Sequence, residues 1–167
     1  MVLRKRKLNR LPGWDYSSEG YYFITFCVRN RIEYFGNIDK NIMMLNKYGK
    51  VVDEKINQIS NIFKNTRIDI YQIMPNHIHI LIWIVGTGQC PVPTGGNNWR
   101  YGKISKIING LKGISSKQIH ELGLFEFQWQ RSYYDRIIRN EKELIRIRQY
   151  IKNNPDNWHR DRNNLDR

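Results

Sequence analysis

The chain has 167 residues, of which 40% are hydrophobic and 13% aromatic, so it can bury a core and fits one domain of ordinary size. This aromatic content excludes a wholly disordered basic chain. Lys and Arg number 28 against 15 Asp and Glu, which gives a formal net charge of +13. The excess favours an anionic partner. We expect nucleic acid rather than a membrane surface, because no basic amphipathic helix with a wide apolar face stands out.

The two cysteines, Cys27 and Cys90, belong to no C-x-x-C pair, which argues against a disulfide scaffold and a cysteine-rich zinc module. The basic N-terminus is not followed directly by an apolar signal segment. The strand-like apolar run at 78–85 is far shorter than the roughly 18 residues of a membrane span. We therefore expect an intracellular, cytoplasmic protein.

The first part of the chain predicts a basic arm, two strands and a helix. Aromatic and β-branched residues at 21–28 predict the first strand, and alternation at 68–73 predicts the second. Between them, apolar residues recur at helical spacing from 48 to 63, with Asn46 as a plausible N-cap. Residues 1–20 predict an extended arm that contacts phosphates, with a solvated tail as the alternative. Its charged residues are Arg4, Lys5, Arg6, Lys7 and Arg10.

A tight turn at Pro75-Asn76 leads from the second strand into a third, at 78–85, so these two strands form a predicted hairpin. The third strand is apolar on both faces, which predicts a central position in its sheet with helices on either side. The segment 86–102 is rich in Gly and Pro and predicts a mobile loop within a single domain.

The last part of the chain predicts a helix over 104–114, a short final strand over 125–130 and a third helix. Asn140 with Glu143 at the third helical position is close to a capping box, and Pro155 should end that helix near Asn154. The order β-α-β-β-α-β-α indicates an α+β fold, a ferredoxin-like plait with an antiparallel sheet and a C-terminal helix. The domain covers 21–155, and a basic tail follows at 156–167.

His77 and His79 are the first candidate site residues. Side chains at i and i+2 of a strand point to the same face, so these two imidazoles can share one metal ion. A pair of hydrogen-bonded core histidines is the alternative. Two imidazoles would leave a divalent ion open to water and to phosphate oxygens.

Tyr150, on the third helix, is the candidate nucleophile, and a tyrosine packed at the edge of the core is the alternative. A phenol, with an ordinary pKa of about 10, attacks a phosphodiester poorly at neutral pH. A divalent ion nearby would help, because it draws electron density from the phosphate and stabilises the transition state. Tyr133 and Tyr134 are rival nucleophiles.

Five sequence blocks, in this order, carry a resemblance to a known family. They are Gly20 to Thr25, Met74 to His79, Trp129 to Asp135, Ile137 to Glu141, and Tyr150 to Pro155. Together they resemble the HUH-type single-tyrosine transposases, the IS200-like group, and most closely its REP-associated tyrosine transposase branch. The resemblance implies cleavage of single-stranded DNA, often at imperfect hairpins, through a covalent 5′-phosphotyrosine, with Mg²⁺ or Mn²⁺ as the metal.

The resemblance also bears on the remaining site residues. A polar residue four positions after the tyrosine contributes a metal ligand in related enzymes, which favours Asn154 here over its alternative as a helix C-cap. Gln149 and Glu143 are weaker substitutes. Many relatives carry a histidine where this chain has Arg136, which puts any auxiliary role of that position in doubt.

Basic residues interleaved with aromatic ones predict a surface for a single DNA strand, and a solvated face with core aromatics is the alternative. These residues are Trp129, Arg131, Tyr134, Arg136 and Arg139. Two other functions stay open: a non-catalytic nucleic-acid-binding plait, because the fold alone does not select a function, and a zinc-dependent hydrolase. Enzymes of the IS200-like group commonly act as dimers, but the REP-associated branch can use its own tyrosine, and we favour a monomer over a homodimer.

Overall fold

The computed structural model describes residues 18–86 and 102–165. The charged residues of the predicted arm, and positions 87–101 of the predicted loop, lie outside these residues. None of the helices in the described residues has the length and apolar character needed to cross a membrane. In chain order the elements are β1 (Gly20–Cys27), β2 (Gly36–Asp39), β3 (Ile42–Leu45), α1 (Lys47–Ile62), β4 (Thr66–Ile73), β5 (His77–Ile84), α2 (Lys103–Glu121), β6 (Tyr134–Ile138) and α3 (Glu141–Lys152).

The central sheet has four antiparallel strands in the order β4-β5-β1-β6. Helices α1 and α2 pack on one face over the fully buried Ile78, Ile80 and Ile82 of β5. Helix α3 packs on the other face, where Leu81 meets Ile151. Full burial of each such side chain contributes roughly 1.5–3 kcal/mol, so both faces of β5 stabilise its central position. The predicted α+β fold with a central histidine strand is confirmed.

Two elements differ from the sequence prediction. Strands β2 and β3 form a separate two-stranded sheet that the sequence analysis did not predict. The final strand predicted over 125–130 is wrong, because the strand that pairs with β1 is β6. Phe127 and Trp129 alternate as in a strand because both enter the core. Their segment forms a single bridge, between Val28 and Trp129, and not a ladder.

The predicted helix starts are correct. The side chain of Asn46 accepts hydrogen bonds from the backbone N–H groups of Tyr48 and Gly49, and Asn140 accepts one from Glu143. These bonds satisfy N–H groups that have no partner inside the helix. The carboxylate of Glu143 reaches the N–H of Arg139 instead of closing the predicted capping box. Helix α3 ends two residues before Asn154.

The chain after Pro155, predicted only as a basic tail, packs against the domain as far as Asn164, which is 9% exposed. A 3₁₀ helix at Pro155–Arg160 places the Trp158 ring 5.9 Å from the His77 ring. Beyond it, the backbone oxygen of Asn163 accepts a hydrogen bond of 2.9 Å from Asn76. The segment therefore lies over the end of the sheet that carries the histidines.

Candidate active site

His77 and His79 stand side by side on β5, and their exposed fractions are 0% and 2%. Their Nε2 atoms are 3.0 Å apart, and their ring centroids are 4.6 Å apart. The alternation of side chains along the strand puts both rings on the face covered by α3. The structure thus brings the two imidazoles together as the spacing predicts.

The Nδ1 atom of each ring is held by a neighbour. Asn76 donates its amide hydrogens to two backbone oxygens, at 2.8 and 2.9 Å, so its Oδ1 accepts the 2.9 Å bond from Nδ1 of His77. The Thr25 hydroxyl lies 2.7 Å from Nδ1 of His79 and can accept in the same way. With protons on both Nδ1 atoms, two Nε2 lone pairs would face each other, an arrangement that a bound cation stabilises.

Burial keeps both imidazoles neutral. Burial first, and the positive charges of Arg162 and Arg31 in addition, lower the pKa of His77 to about 3. Burial also holds the pKa of His79 well below its ordinary value, and neighbouring His77 adds to the effect. A neutral imidazole is the form that binds a metal ion, so the pair is ready to do so at pH 7.

Tyr150 projects from α3 towards this pair. Its hydroxyl oxygen lies 3.5 Å from Nε2 of His79, and its ring meets the His79 ring at a centroid distance of 5.2 Å and the Phe23 ring at 5.9 Å. The residue is 46% exposed, so a substrate can reach the hydroxyl. Partial burial raises the pKa of Tyr150, and the neighbouring amide of Asn154 opposes that change. The phenol therefore needs help to become a nucleophile.

Asn154 lies beside Tyr150 and is 3% exposed. Its side chain makes no capping hydrogen bond, and Asn153 is the C-cap of α3, so the capping alternative does not apply. Its Oδ1 is buried and has no hydrogen-bond partner among the described residues. Such an oxygen is costly unless something binds it, and a metal ion next to the histidines fits that need.

Asp161 is a site residue that the sequence analysis missed. Its Oδ2 lies 3.7 Å from Nε2 of His77, and its side chain is only 7% exposed. One ligand atom from each of His77, His79 and Asp161 lies within 4.8 Å of the others. An aspartate between two arginines in a basic segment carries no local signal of such a role.

The two rival tyrosines lie on opposite faces of the sheet. The Tyr133 hydroxyl is 3.2 Å from the Ser105 hydroxyl, on the α2 side and away from the histidines. Tyr134 is 42% exposed and meets Phe23 edge-on at 6.4 Å, on the same face as Tyr150. Of the two rivals, only Tyr134 could reach a substrate at the histidines.

The predicted DNA-binding residues of the described part of the chain differ in their surroundings. Trp129 is half-buried, its ring packs against Phe26 and its indole N–H donates to Ser115, so its contacts favour the alternative of a core aromatic over a base-stacking role. Arg136 forms an ion pair of 2.5 Å with Glu143, which also removes Glu143 as a substitute metal ligand. The remaining predicted residues, Arg131, Tyr134 and Arg139, are exposed.

Comparison with known proteins gives three similarities. A family model described as "Transposase IS200 like" matches residues 100–154. An uncharacterised protein of Haemophilus influenzae is 36% identical over 170 residues, which cover 95% of this chain and 93% of that protein. The fold is similar to a solved structure of a REP-associated tyrosine transposase bound to a REP hairpin. That similarity has a TM-score of 0.60 and 19% identity, and covers 95% of this chain and 74% of the other.

Proposed function

The chain belongs to the IS200-like transposase family of DNA-processing enzymes, and we propose that it cleaves and rejoins single-stranded DNA through a covalent 5′-phosphotyrosine at Tyr150. The observation that carries the proposal is the 3.5 Å distance between the Tyr150 hydroxyl and His79, which are 71 residues apart in sequence. The proposed reaction requires an accessible phenol beside two buried, neutral imidazoles. A module that only binds nucleic acid has no need of that arrangement.

In the proposed reaction, the Tyr150 oxygen bonds to phosphorus while the bond from phosphorus to the 3′ oxygen breaks, and the proton that the phenol releases balances the one that the departing 3′ oxygen takes up. The departing strand then carries a free 3′-OH, and attack by a 3′-OH in the reverse direction rejoins the DNA. The amide of Asn154 opposes the rise that burial causes in the pKa of the phenol, and so favours the charged oxygen. The ring contacts with Phe23 and His79 hold the phenol in position for in-line attack.

We propose that His77, His79 and Asn154 hold one divalent ion, Mg²⁺ or Mn²⁺. Such an ion supplies charge stabilisation to the scissile phosphate. The facing Nε2 lone pairs and the unpartnered Oδ1 of Asn154 support the fit of these residues to a cation. The hydrogen bonds to Asn76 and Thr25 orient the two rings and fix which nitrogen is available.

The proposed substrate is single-stranded DNA that forms hairpins or contains repeats. The net charge of +13 supports a polyanion, and the exposed Arg131, Tyr134 and Arg139 are available to contact it. Arg136 could contribute only after leaving Glu143. The five basic residues at positions 4–10 are proposed to add phosphate contacts. Because Tyr150 reaches a histidine of its own chain, we propose that a monomer suffices.

The test is to trap the covalent adduct. Full-length protein is incubated with end-labelled, hairpin-forming single-stranded DNA and Mn²⁺, and the products are separated under denaturing conditions. We expect a labelled protein band, suppressed by EDTA, and a peptide modified at Tyr150 by mass spectrometry. Cleavage without an adduct would favour the zinc-hydrolase alternative, and DNA binding without cleavage would favour the non-catalytic module.

A further inference from the structure

The segment after α3 brings a carboxylate to the two histidines, and its geometry has the features of a ligand. Oδ1 of Asp161 accepts a 2.7 Å hydrogen bond from the backbone N–H of Asn163, which fixes the orientation of the carboxylate. Oδ2 is then directed at His77, whose Nε2 is 3.7 Å away. A buried carboxylate oxygen and a nitrogen lone pair repel each other unless a proton or a cation lies between them.

Both amide hydrogens of Asn76 go to backbone oxygens, so its Oδ1 accepts from Nδ1 of His77, and the Nε2 of a neutral His77 ring then faces Asp161 with a lone pair and not with a proton. Nearby cations do not take this place. Arg31 uses Nη1 to bind the backbone oxygen of Arg162, and among the described residues no Lys or Arg side chain lies within ion-pair distance of Asp161. Three lone pairs, from His77, His79 and Asp161, therefore converge within 4.8 Å.

The chemistry of the donors also bears on the kind of ion. Two imidazoles alone suit Zn²⁺, Cu²⁺ or Ni²⁺, whereas carboxylate and carbonyl oxygens suit Mg²⁺ and Mn²⁺. Adding the oxygens of Asp161 and Asn154 gives two nitrogen and two oxygen donors. An ion with octahedral coordination would keep two positions for water or phosphate.

We infer that Asp161 is a ligand of the divalent ion, and that the ion fastens the segment 155–165 to the sheet. The inference rests on the proposed metal site and adds to it an anionic ligand from outside α3. The carboxylate of Asp161 then has two roles. It favours a hard metal ion, and through that ion it attaches the segment 155–165 next to Tyr150. Metal binding and docking of that segment then become one equilibrium.

The experiment measures Mn²⁺ and Zn²⁺ binding to the full chain by calorimetry, without DNA. Asp161→Asn keeps an oxygen that can accept from Asn163 and removes the charge, so the turn is preserved. Asp156→Asn, in the exposed first turn of the same 3₁₀ helix, is the matched control for charge. We expect Asp161→Asn to weaken Mn²⁺ binding by at least about tenfold, with a smaller loss for Zn²⁺, and Asp156→Asn to bind like the parent.

A second readout is tryptic cleavage after the exposed Arg160 and Arg162. Mn²⁺ should slow this cleavage in the parent and in Asp156→Asn, but not in Asp161→Asn. The inference is overturned if Asp161→Asn keeps the parental Mn²⁺ affinity and the protection from trypsin while His77→Ala loses both. It is also overturned if Asp161→Asn and Asp156→Asn lose Mn²⁺ affinity equally. If the parent binds no Mn²⁺, both the inference and the proposed metal site fail, although the tyrosine adduct could still be found.

Discussion

Replacement of the three candidate tyrosines by phenylalanine, one at a time, is the sharpest test of the nucleophile. Tyr150→Phe removes one oxygen and keeps the edge-on ring contacts with Phe23 and His79. The hydroxyl lies 3.5 Å from Nε2 of His79 and beside the amide of Asn154, on a residue that is 46% exposed. Water can replace such contacts, so loss of the hydroxyl should change the free energy of unfolding by no more than about 0.5 kcal/mol. In a domain of this size, that is a shift in Tm of at most about 2 °C.

The adduct, in contrast, should disappear in Tyr150→Phe, because the oxygen that would bond to phosphorus is gone. DNA binding should stay within a few-fold of the parent. Tyr134→Phe should keep the adduct, and Tyr133→Phe should keep it too, because its hydroxyl faces Ser105 on the other side of the sheet. The assay is denaturing electrophoresis of labelled DNA with each variant, alongside thermal melting and a binding titration.

An adduct that persists in Tyr150→Phe and vanishes in Tyr134→Phe would refute the assignment. It would mean that the substrate approaches from the β6 edge of the sheet and not from α3. Loss of the adduct in both variants, with unchanged melting, would instead indicate that Tyr134 helps to hold the DNA strand.

Three further predictions concern the metal, the arm and a buried lysine. His77→Ala should abolish cleavage at ordinary Mg²⁺ or Mn²⁺ concentrations. Asn154→Ala should reduce cleavage less, because water can replace a neutral amide ligand. Full activity of His77→Ala, or of the parent protein in EDTA, would contradict the proposed role of the metal. Deletion of residues 1–10 removes five Lys and Arg and should make the slope of log affinity against log salt shallower by roughly 0.7 per lost phosphate contact, whereas an unchanged slope would indicate a solvated tail. Burial lowers the pKa of Lys112 to about 8 in the folded protein. Between about pH 8 and 10.5 the unfolded chain therefore binds more protons at this residue than the folded protein does. The free energy of unfolding should rise with pH across that range, by about 3 kcal/mol at most. Chemical denaturation of the parent and of Lys112→Met would measure this, and an equal rise in both would contradict it.

The fold could be predicted from local patterns because its elements follow the periods of helices and strands. Seven of the eight positions of β5 are buried and Trp83 is half-buried, so both faces of the strand are covered. The apolar pattern of both faces already indicated a central strand. The helix caps at Asn46 and Asn140 could be found for the same reason, since a cap depends on neighbours within three residues. The strand predicted over 125–130 was wrong because a local pattern was not supported by a distant pairing partner. Phe127 and Trp129 alternate into the core without a partner strand, and periodicity does not distinguish the two cases.

The site was only partly predictable. His77 and His79 are two residues apart, so the geometry of a single strand brings them together. Tyr150 and Asn154 were identified through a family resemblance and not through a physical pattern. Asp161 could not be found, because a turn after a 3₁₀ helix and a hydrogen bond between residues 76 and 163 bring it to the histidines. Interactions between distant parts of the chain decide such a position, and they have no sequence period.

The contacts of Asn76 have a consequence for the timing of protein synthesis. Its amide joins the loop after β1, the start of β5 and the segment after α3, so the surroundings of His77 need residues from 31 to 163. A ribosome makes the chain from its N-terminus at about 5–20 residues per second, and the sheet can begin to form early. The proposed nucleophile, Tyr150, and the carboxylate of Asp161 emerge after every strand of the central sheet. A chain that stopped before residue 150 would therefore possess the histidine pair without the proposed nucleophile.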